Sequence, residues 1–195
     1  MSTTFLISDT HWAHERILTF LKHDGSRLRD FSTIEEHDEL MVDNWNRVVG
    51  PHDTVIHLGD VILCGSGTVN RREIYRRTIG RCRGRKKLIR GNHDRDKMKE
   101  YLEYFESIHG SRKIDAFIVT HYPIHPESVP AWCLANLHGH LHDHRVMRPK
   151  LWCGVPQPQE EIDPRYFGLA VEMTNYTPLS LEDVKARVIA QKETL

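Results

Sequence analysis

Short apolar runs of this chain are each followed by histidine, aspartate or asparagine side chains, and this happens five times. The five clusters are Asp9-x-His11, Gly59-Asp60, Gly91-Asn92-His93-Asp94, His121 and Gly139-His140-x-His142. An apolar run of roughly four to eight residues predicts a buried strand, and ligands of open α/β sheets bind beyond the carboxyl ends of strands. We therefore expect the clusters to meet along one rim and to form a site that holds more than one metal ion.

The rest of the pattern predicts a mixed α/β fold in layers, because strands alternate with helices early and cluster late. Strands are predicted over residues 4–8, 54–58, 87–90, 116–120, 135–138 and 166–173. Helices are predicted after a capping box at Ser32–Glu35 with Phe31 as its staple, around 69–78, over 97–108 and after a cap at Ser180–Asp183. Residues 149–164 are predicted to form a long loop or an irregular strand pair.

Composition limits the class of protein only loosely. A length of 195 residues suits one domain, and the 27 basic residues equal the 27 acidic ones, so net charge predicts no nucleic-acid or membrane partner. We find no apolar stretch near the ~20 residues that cross a bilayer and no secretory signal at the start. The four cysteines lack CxxC spacing, so we expect reduced thiols in a soluble, cytoplasmic protein.

The donor types indicate which metals would bind. Counting donors assigns one ion to Asp9, His11, Asp60 and His142, and a second ion to Asp60, Asn92, His121 and His140. Mixed nitrogen and oxygen donors without thiolate suit Mn²⁺, Fe, Zn²⁺ or Ni²⁺ better than Ca²⁺ or a structural cysteine-rich zinc site. Two ions about 3.5–4 Å apart would clamp a phosphoryl group for in-line attack by hydroxide. We expect two divalent transition-metal ions, with Mn²⁺ favoured.

Plainer interpretations hold for single motifs. A lone Asp-x-His or Gly-Asp is an ordinary turn, and only the five clusters together favour a shared site. His57 and His138 lie inside apolar strands, so we predict that they are hydrogen-bonded core residues.

Together the five clusters resemble the signature blocks of the calcineurin-like metallophosphoesterase superfamily. The segments DTHWAHERIL, NWNRVVGP and FGLAVEMTNYTPLSLEDV also resemble a small stand-alone branch from bacteria and phages. The resemblance implies that residues 1–195 form a single phosphoesterase domain: a two-layer β-sandwich flanked by helices, with a dinuclear centre at the carboxyl ends of strands. It also implies that His93 contacts the scissile phosphate and protonates the leaving group, and that Asp94 orients the His93 imidazole.

Substrate contacts are harder to predict. Residues 71–90 carry ten Arg or Lys against Glu73 alone. We favour a solvated basic face, and the alternative is an approach for oligonucleotides, which the lack of interleaved aromatics weakens. His14 follows His11 by one helical turn and would lean toward a substrate. The candidate substrate-binding residues are His14, Asn92, His93, His125 and Arg145.

The predicted function is hydrolysis of phosphodiesters, with nucleotides or nucleic-acid ends as substrates. The same metal core serves phosphomonoesters, so a phosphomonoesterase acting on small phosphorylated metabolites is the first alternative. A non-catalytic scaffold of the same fold is the second, and the complete donor set argues against it.

Overall fold

The computed structural model describes residues 2–65 and 70–194. Its described strands are β1 (Thr4–Ile7), β2 (Thr54–His57), β3 (Arg85–Ile89), β4 (Ser107–His109), β5 (Ser111–Ile114), β6 (Phe117–Thr120), β7 (Ala135–His138), β8 (Met147–Trp152), β9 (Val155–Ile162), β10 (Tyr166–Gly168) and β11 (Leu179–Ser180). Its described helices are α1 (Ile34–Val48), α2 (Arg71–Arg77), α3 (Met98–Tyr101) and α4 (Leu181–Glu193).

The strands form two main sheets. The first has the order β11-β1-β2-β3-β4, in which β1 to β4 are parallel and β11 is antiparallel to β1. The second has the order β10-β7-β6-β5, in which β5 alone is antiparallel to its neighbour. Strands β8 and β9 pair only with each other in the described part of the chain. The mixed α/β fold with helices flanking the sheets is therefore confirmed.

Alternating side chains bury both faces of the first sheet. Phe5 and Ile7 point into a cluster with Met41 and Trp45 of α1, whereas Leu6 points into a second cluster with residues of the other sheet such as Leu137. Fully burying one such aliphatic side chain contributes about 1.5–3 kcal/mol. This sandwich holds the loops at the carboxyl ends of the strands against each other.

The first long helix begins one residue later than predicted. Thr33 is the N-cap, and its side chain accepts a hydrogen bond from the Glu36 backbone N–H, while the Glu36 carboxylate accepts one from the Ser32 N–H. Phe31 packs edge-on against His37, with ring centroids 5.2 Å apart. The capping box therefore uses Thr33 and Glu36 rather than Ser32 and Glu35.

Two predicted elements are partly wrong. The helix predicted over 97–108 ends at Tyr101, and β4 follows, because Ile108 pairs with Leu88 at the edge of β3. The strand predicted over 166–173 ends at Gly168 and gives way to a 3₁₀ turn at Val171–Met173.

Two other predicted elements agree more closely with the structure. Residues 149–164 lie mostly in the predicted strand pair, which has an irregular register between Pro149 and Leu151. The helix predicted around 69–78 is α2, and the predicted start at Val69 lies outside the described residues. Within 2–65 and 70–194, no helix has the length and apolar character that would let it span a membrane.

Candidate metal centre

The predicted donors meet in two groups. We call Asp9, His11 and His142 the first donor group, and Asp60, His121 and His140 the second donor group. Within each group, one potential ligand atom from every residue lies within 4.8 Å of the others. Asp60 connects the groups, because its Oδ2 lies 3.4 Å from His121 Nε2 and 3.7 Å from His11 Nε2. Asn92 Oδ1 lies 2.9 Å from His121 Nε2 and so adds a neutral oxygen beside the second donor group.

Most of these residues have left-handed backbone conformations. The φ angles are 57° at Asp9, 47° at His11, 57° at Asp60, 67° at His140 and 54° at His142. A residue with a Cβ pays roughly 1–3 kcal/mol for such a conformation, and strain of this kind clusters at functional sites. The strand ends thus turn abruptly and bring side chains from β1, β2 and β7 to one place.

Two glycines leave room for the carboxylates. A Cβ on Gly91 would lie 2.3 Å from Asp60 Oδ1, and a Cβ on Gly139 would lie 2.3 Å from Asp9 Oδ2. Any other residue at these positions would displace an aspartate. The glycines that precede Asn92 and His140 are therefore required by the close approach of the donors.

The donor groups have the chemistry of a cation site. Burial raises the pKa of Asp9 to about 6, and burial together with Arg29 lowers the pKa of His11. The Nδ1 atom of His11 is also buried, and it has no hydrogen-bond partner in the described part of the chain. A buried carboxylate and a neutral imidazole with an unused nitrogen fit a divalent transition-metal ion.

Charged residues behind the first donor group were not predicted. Arg29 is fully buried, and it donates hydrogen bonds to the Asp9 carbonyl over 2.6 Å and to Glu172 Oε1 over 2.8 Å. Glu172 Oε1 in turn accepts from His142 Nδ1 over 3.0 Å. Burial alone would raise the pKa of Glu172, but Arg29 and His142 outweigh it and hold that pKa at about 2. The charged Glu172 thus fixes the tautomer of His142 with Nε2 free to bind a metal.

Backbone groups support the second donor group instead. His121 Nδ1 donates to the Leu58 carbonyl over 2.7 Å, which leaves His121 Nε2 beside Asp60 and Asn92. Tyr122 lies over the same group, with its ring centroid 4.4 Å from that of His140. Tyr122 was not predicted either, although it directly follows a donor.

Asp94 does not orient the His93 imidazole, contrary to the expectation from the resemblance. Its carboxylate accepts hydrogen bonds from the backbone N–H groups of Asp60, Val61 and Gly91 at 2.8–3.0 Å. Both oxygens of the buried Asp94 carboxylate are thus occupied by backbone N–H groups. Asp94 therefore holds the loops after β2 and β3 together.

His93 lies beside the donors without joining either group. Its backbone N–H donates to Asp60 Oδ1 over 2.8 Å, and its ring centroid is 5.5 Å from that of His11. His14 lies nearby, with its ring centroid 5.6 Å from that of His11, and burial lowers its pKa to about 4. Both line a cavity of about 270 Å³ together with His11, His142 and Phe20. The structure thus brings two of the predicted substrate contacts to the donors.

A family model for calcineurin-like phosphoesterases matches residues 2–148. The chain belongs to this family. The match covers all the predicted donors, whereas Glu172 lies beyond it. Members of the family use divalent metals and hydrolyse phosphate esters, so this chain is a phosphoesterase by family. The matched family and the two donor groups agree on a metal-dependent hydrolase.

Three individual proteins show how far the similarity extends along the chain. The uncharacterised protein MJ1445 of Methanocaldococcus jannaschii is 29% identical over 187 residues, which cover 93% of this chain and 89% of that protein. The gene 66 protein of Mycobacterium phage L5 is 37% identical over 95 residues, but the match covers 48% of this chain and only 41% of that protein. The crystal structure of AQ665, a protein of unknown function from Aquifex aeolicus, covers 95% of this chain and 99% of its own, with a TM-score of 0.62 and 25% identity.

Two predicted substrate contacts lie in other surroundings. His125 is exposed, and its Nδ1 accepts a hydrogen bond from the Glu127 N–H at the start of a 3₁₀ turn, so it acts as a local cap. Arg145 lines a separate cavity with Arg187 and Gln191. Neither residue lines the cavity beside the donor groups of this phosphoesterase.

The core histidines behave as expected. His57 and His138 are buried, and burial lowers their pKa values to about 3 and about 4. His57 Nε2 lies 3.0 Å from Thr10 Oγ1, and His138 Nδ1 lies 2.8 Å from the Gly139 carbonyl. Both are satisfied by hydrogen bonds.

Four of the ten basic residues of the segment 71–90 form ion pairs with partners among the described residues. Arg71 pairs with Asp96 over 2.7 Å, and Arg72 pairs with Glu103 over 3.0 Å. Arg81 pairs with Glu39. These contacts support the interpretation of residues 71–90 as a solvated, ion-paired face.

Proposed function

We propose that this chain is a phosphodiesterase that uses two divalent transition-metal ions, with Mn²⁺ favoured. Asp9, His11, Asp60 and His142 would hold one ion, and Asp60, Asn92, His121 and His140 would hold the other. The observation that carries the proposal is the position of Asp60 Oδ2, within 3.7 Å of His11 Nε2 and 3.4 Å of His121 Nε2. A carboxylate shared by two sets of imidazoles suits a pair of ions better than two independent sites.

When bound, such a pair of ions supplies Lewis acidity to the phosphoryl oxygens and makes hydroxide available near neutral pH. The protein's own residues fix the position of the His93 loop relative to the donors. Asp60 accepts the His93 backbone N–H with Oδ1 while Oδ2 faces the imidazoles, so the His93 loop is fixed relative to the donors. Asp94 holds the same loop from behind. In this position His93 would contact the phosphate and donate a proton to the leaving oxygen.

The shape of the site supports a diester. His93, His140 and His142 are each half-buried, and the cavity that His93 and His142 line has a volume of only about 270 Å³. If a cavity of that size were closed, it would exclude the second ester substituent of a diester. Because the donors are half-exposed, the second substituent can extend into solvent. Cyclic nucleotides and the internucleotide links near nucleic-acid ends are diester substrates of this kind.

The test is a substrate panel with purified protein and added Mn²⁺. We expect hydrolysis of bis-p-nitrophenyl phosphate and of 2′,3′-cyclic nucleotides or short DNA and RNA, with much less hydrolysis of p-nitrophenyl phosphate. Faster hydrolysis of p-nitrophenyl phosphate would identify a phosphomonoesterase instead. Two bound ions with no hydrolysis of any ester would identify a non-catalytic scaffold.

A further inference from the structure

Two exposed aromatic rings border the donor groups. Phe20 is 42% exposed and packs edge-on against His14, with ring centroids 5.8 Å apart. Tyr122 is 49% exposed and packs against His140 at 4.4 Å. An exposed ring that is held in place beside polar side chains offers its free face to a ligand.

The rings lie at opposite ends of one series of contacts. From one end to the other, the side chains in contact are Phe20, His14, His11, Asp60, His121 and Tyr122. Asp60, which faces both donor groups, is in the middle of the series. A phosphate centred near Asp60 would therefore have one ring on each side.

We propose that Tyr122 and Phe20 are stacking platforms for the two ester substituents of the substrate. The substrate class is then a phosphodiester with a planar aromatic group on each side, such as the link between two nucleosides. This inference rests on the proposed phosphodiesterase function. Stacking of bases on aromatic side chains tolerates any base sequence, because every base has a π-face.

The position of His93 assigns a side to each ring. His93 and Phe20 line the same cavity. The group that receives a proton from His93 therefore leaves on the Phe20 side. The substituent that stays on the phosphate lies on the Tyr122 side, over the second donor group.

Two p-nitrophenyl esters separate the roles of the rings. Methyl p-nitrophenyl phosphate and thymidine 5′-(p-nitrophenyl phosphate) share the leaving group and differ only in the retained substituent. With Mn²⁺, Tyr122→Ala should raise the KM of the thymidine ester roughly tenfold relative to that of the methyl ester, which has no ring to stack on Tyr122. Phe20→Ala should raise the KM of both esters by the same factor, because both have the same aryl leaving group.

Matched variants control for indirect effects. Tyr122→Phe should retain the wild-type KM, since the ring remains. Trp132→Ala removes a ring that is 51% exposed and packs under Lys113, so it should change neither ester. An equal effect of Tyr122→Ala on both esters, or no effect on either, would overturn the proposal.

A binding measurement separates this inference from the proposed function. A 2-aminopurine dinucleoside with an uncleavable methylphosphonate link should lose fluorescence on binding as its bases stack. Tyr122→Ala should weaken this quenching, and Tyr122→Phe should preserve it. Hydrolysis of both esters with the same response to Tyr122→Ala refutes the platforms alone. Tyr122-dependent quenching without hydrolysis of either ester refutes the phosphodiesterase alone, and quenching that is unchanged in Tyr122→Ala refutes the platforms.

Discussion

The first and second donor groups differ in what holds their imidazoles. Behind the first, His142 is hydrogen-bonded to a carboxylate that is itself paired with a buried guanidinium, Glu172 with Arg29. Behind the second, His121 is hydrogen-bonded to the neutral Leu58 carbonyl. Burial would lower the pKa of His142, yet Glu172 raises it above its ordinary value. A hydrogen bond to a charged carboxylate makes an imidazole a stronger metal ligand than a hydrogen bond to a backbone carbonyl does. A single substitution can remove the carboxylate, whereas it cannot remove the backbone carbonyl.

Removing Asp60, which faces both donor groups, should abolish metal binding at both groups alike. Asp60→Ala deletes the carboxylate that faces both, so we expect both ions to be lost and hydrolysis to fall beyond the ~10–100-fold that typically follows the loss of an outer partner. Elemental analysis of the purified variant checks this. Unchanged occupancy, or a wild type that holds one ion, would contradict the shared role of Asp60.

Replacing His93 tests chemistry apart from metal binding, because His93 belongs to neither group. We predict that His93→Gln keeps both ions and loses about 10²–10⁴-fold in kcat on a nucleotide diester, whose alkoxide needs a proton to leave. An activated aryl diester, whose leaving group departs without one, should lose little. Measuring kcat for both substrates decides the point. Equal losses would reduce His93 to positioning the phosphate, and loss of an ion would make it a ligand.

Neutralising Glu172 should affect one group only. Glu172→Gln keeps the size of the side chain but removes its charge, so the affinity of the first donor group for metal should fall about 10–100-fold while that of the second is unchanged. Titration with Mn²⁺ against a chelating indicator resolves the two steps. Glu161→Gln, which breaks a surface ion pair with Arg148, is the matched control. Equal weakening of both steps would show that the groups share their support.

The smallest expected effect concerns charge on the side of the first donor group. Arg76 is exposed, and Arg77 lines a cavity of about 610 Å³ with His14 and Arg16. If oligonucleotides bind there, their KM should rise with salt, and reversing both charges should reduce that slope by roughly 1 per lost phosphate contact. A small aryl phosphate should be nearly indifferent to salt. Arg83→Glu, in the same segment, serves as control. An equal salt response of both substrates would show that these arginines form a solvated face and do not bind nucleic acid.

The sequence predicts which side chains meet in the two donor groups, because each one follows a short apolar run, which is local information. Asp60 and His121 are placed by the strands that precede them, so recognising the strands is enough. Arg29 and Glu172 are 143 positions apart, and no local pattern connects them. Only the packing of the folded chain shows that they meet.

Local sequence pattern also fails where a segment with helical spacing can instead pair as a strand. Met98, Leu102, Phe105 and Ile108 have helical spacing, yet Ile108 is taken up by the edge of β3. Pairing with an existing sheet outweighs helix propensity in a short segment. The late strand ends at Gly168, and the 3₁₀ turn at Val171–Met173 carries Glu172 to its position behind His142.

The bond between Arg29 and Glu172 has a consequence for how the protein is made. All seven proposed ligands lie within residues 9–142, but β11 pairs with β1, and Val184 and Val188 of α4 belong to the core cluster that both sheets share. We propose on this basis that residues 1–195 fold as one domain. A nascent chain that has emerged from the ribosome only as far as residue 148 would carry every ligand, yet His142 would lack its partner and β1 its outer neighbour. The proposed first ion would therefore be held more weakly until Glu172 had been added.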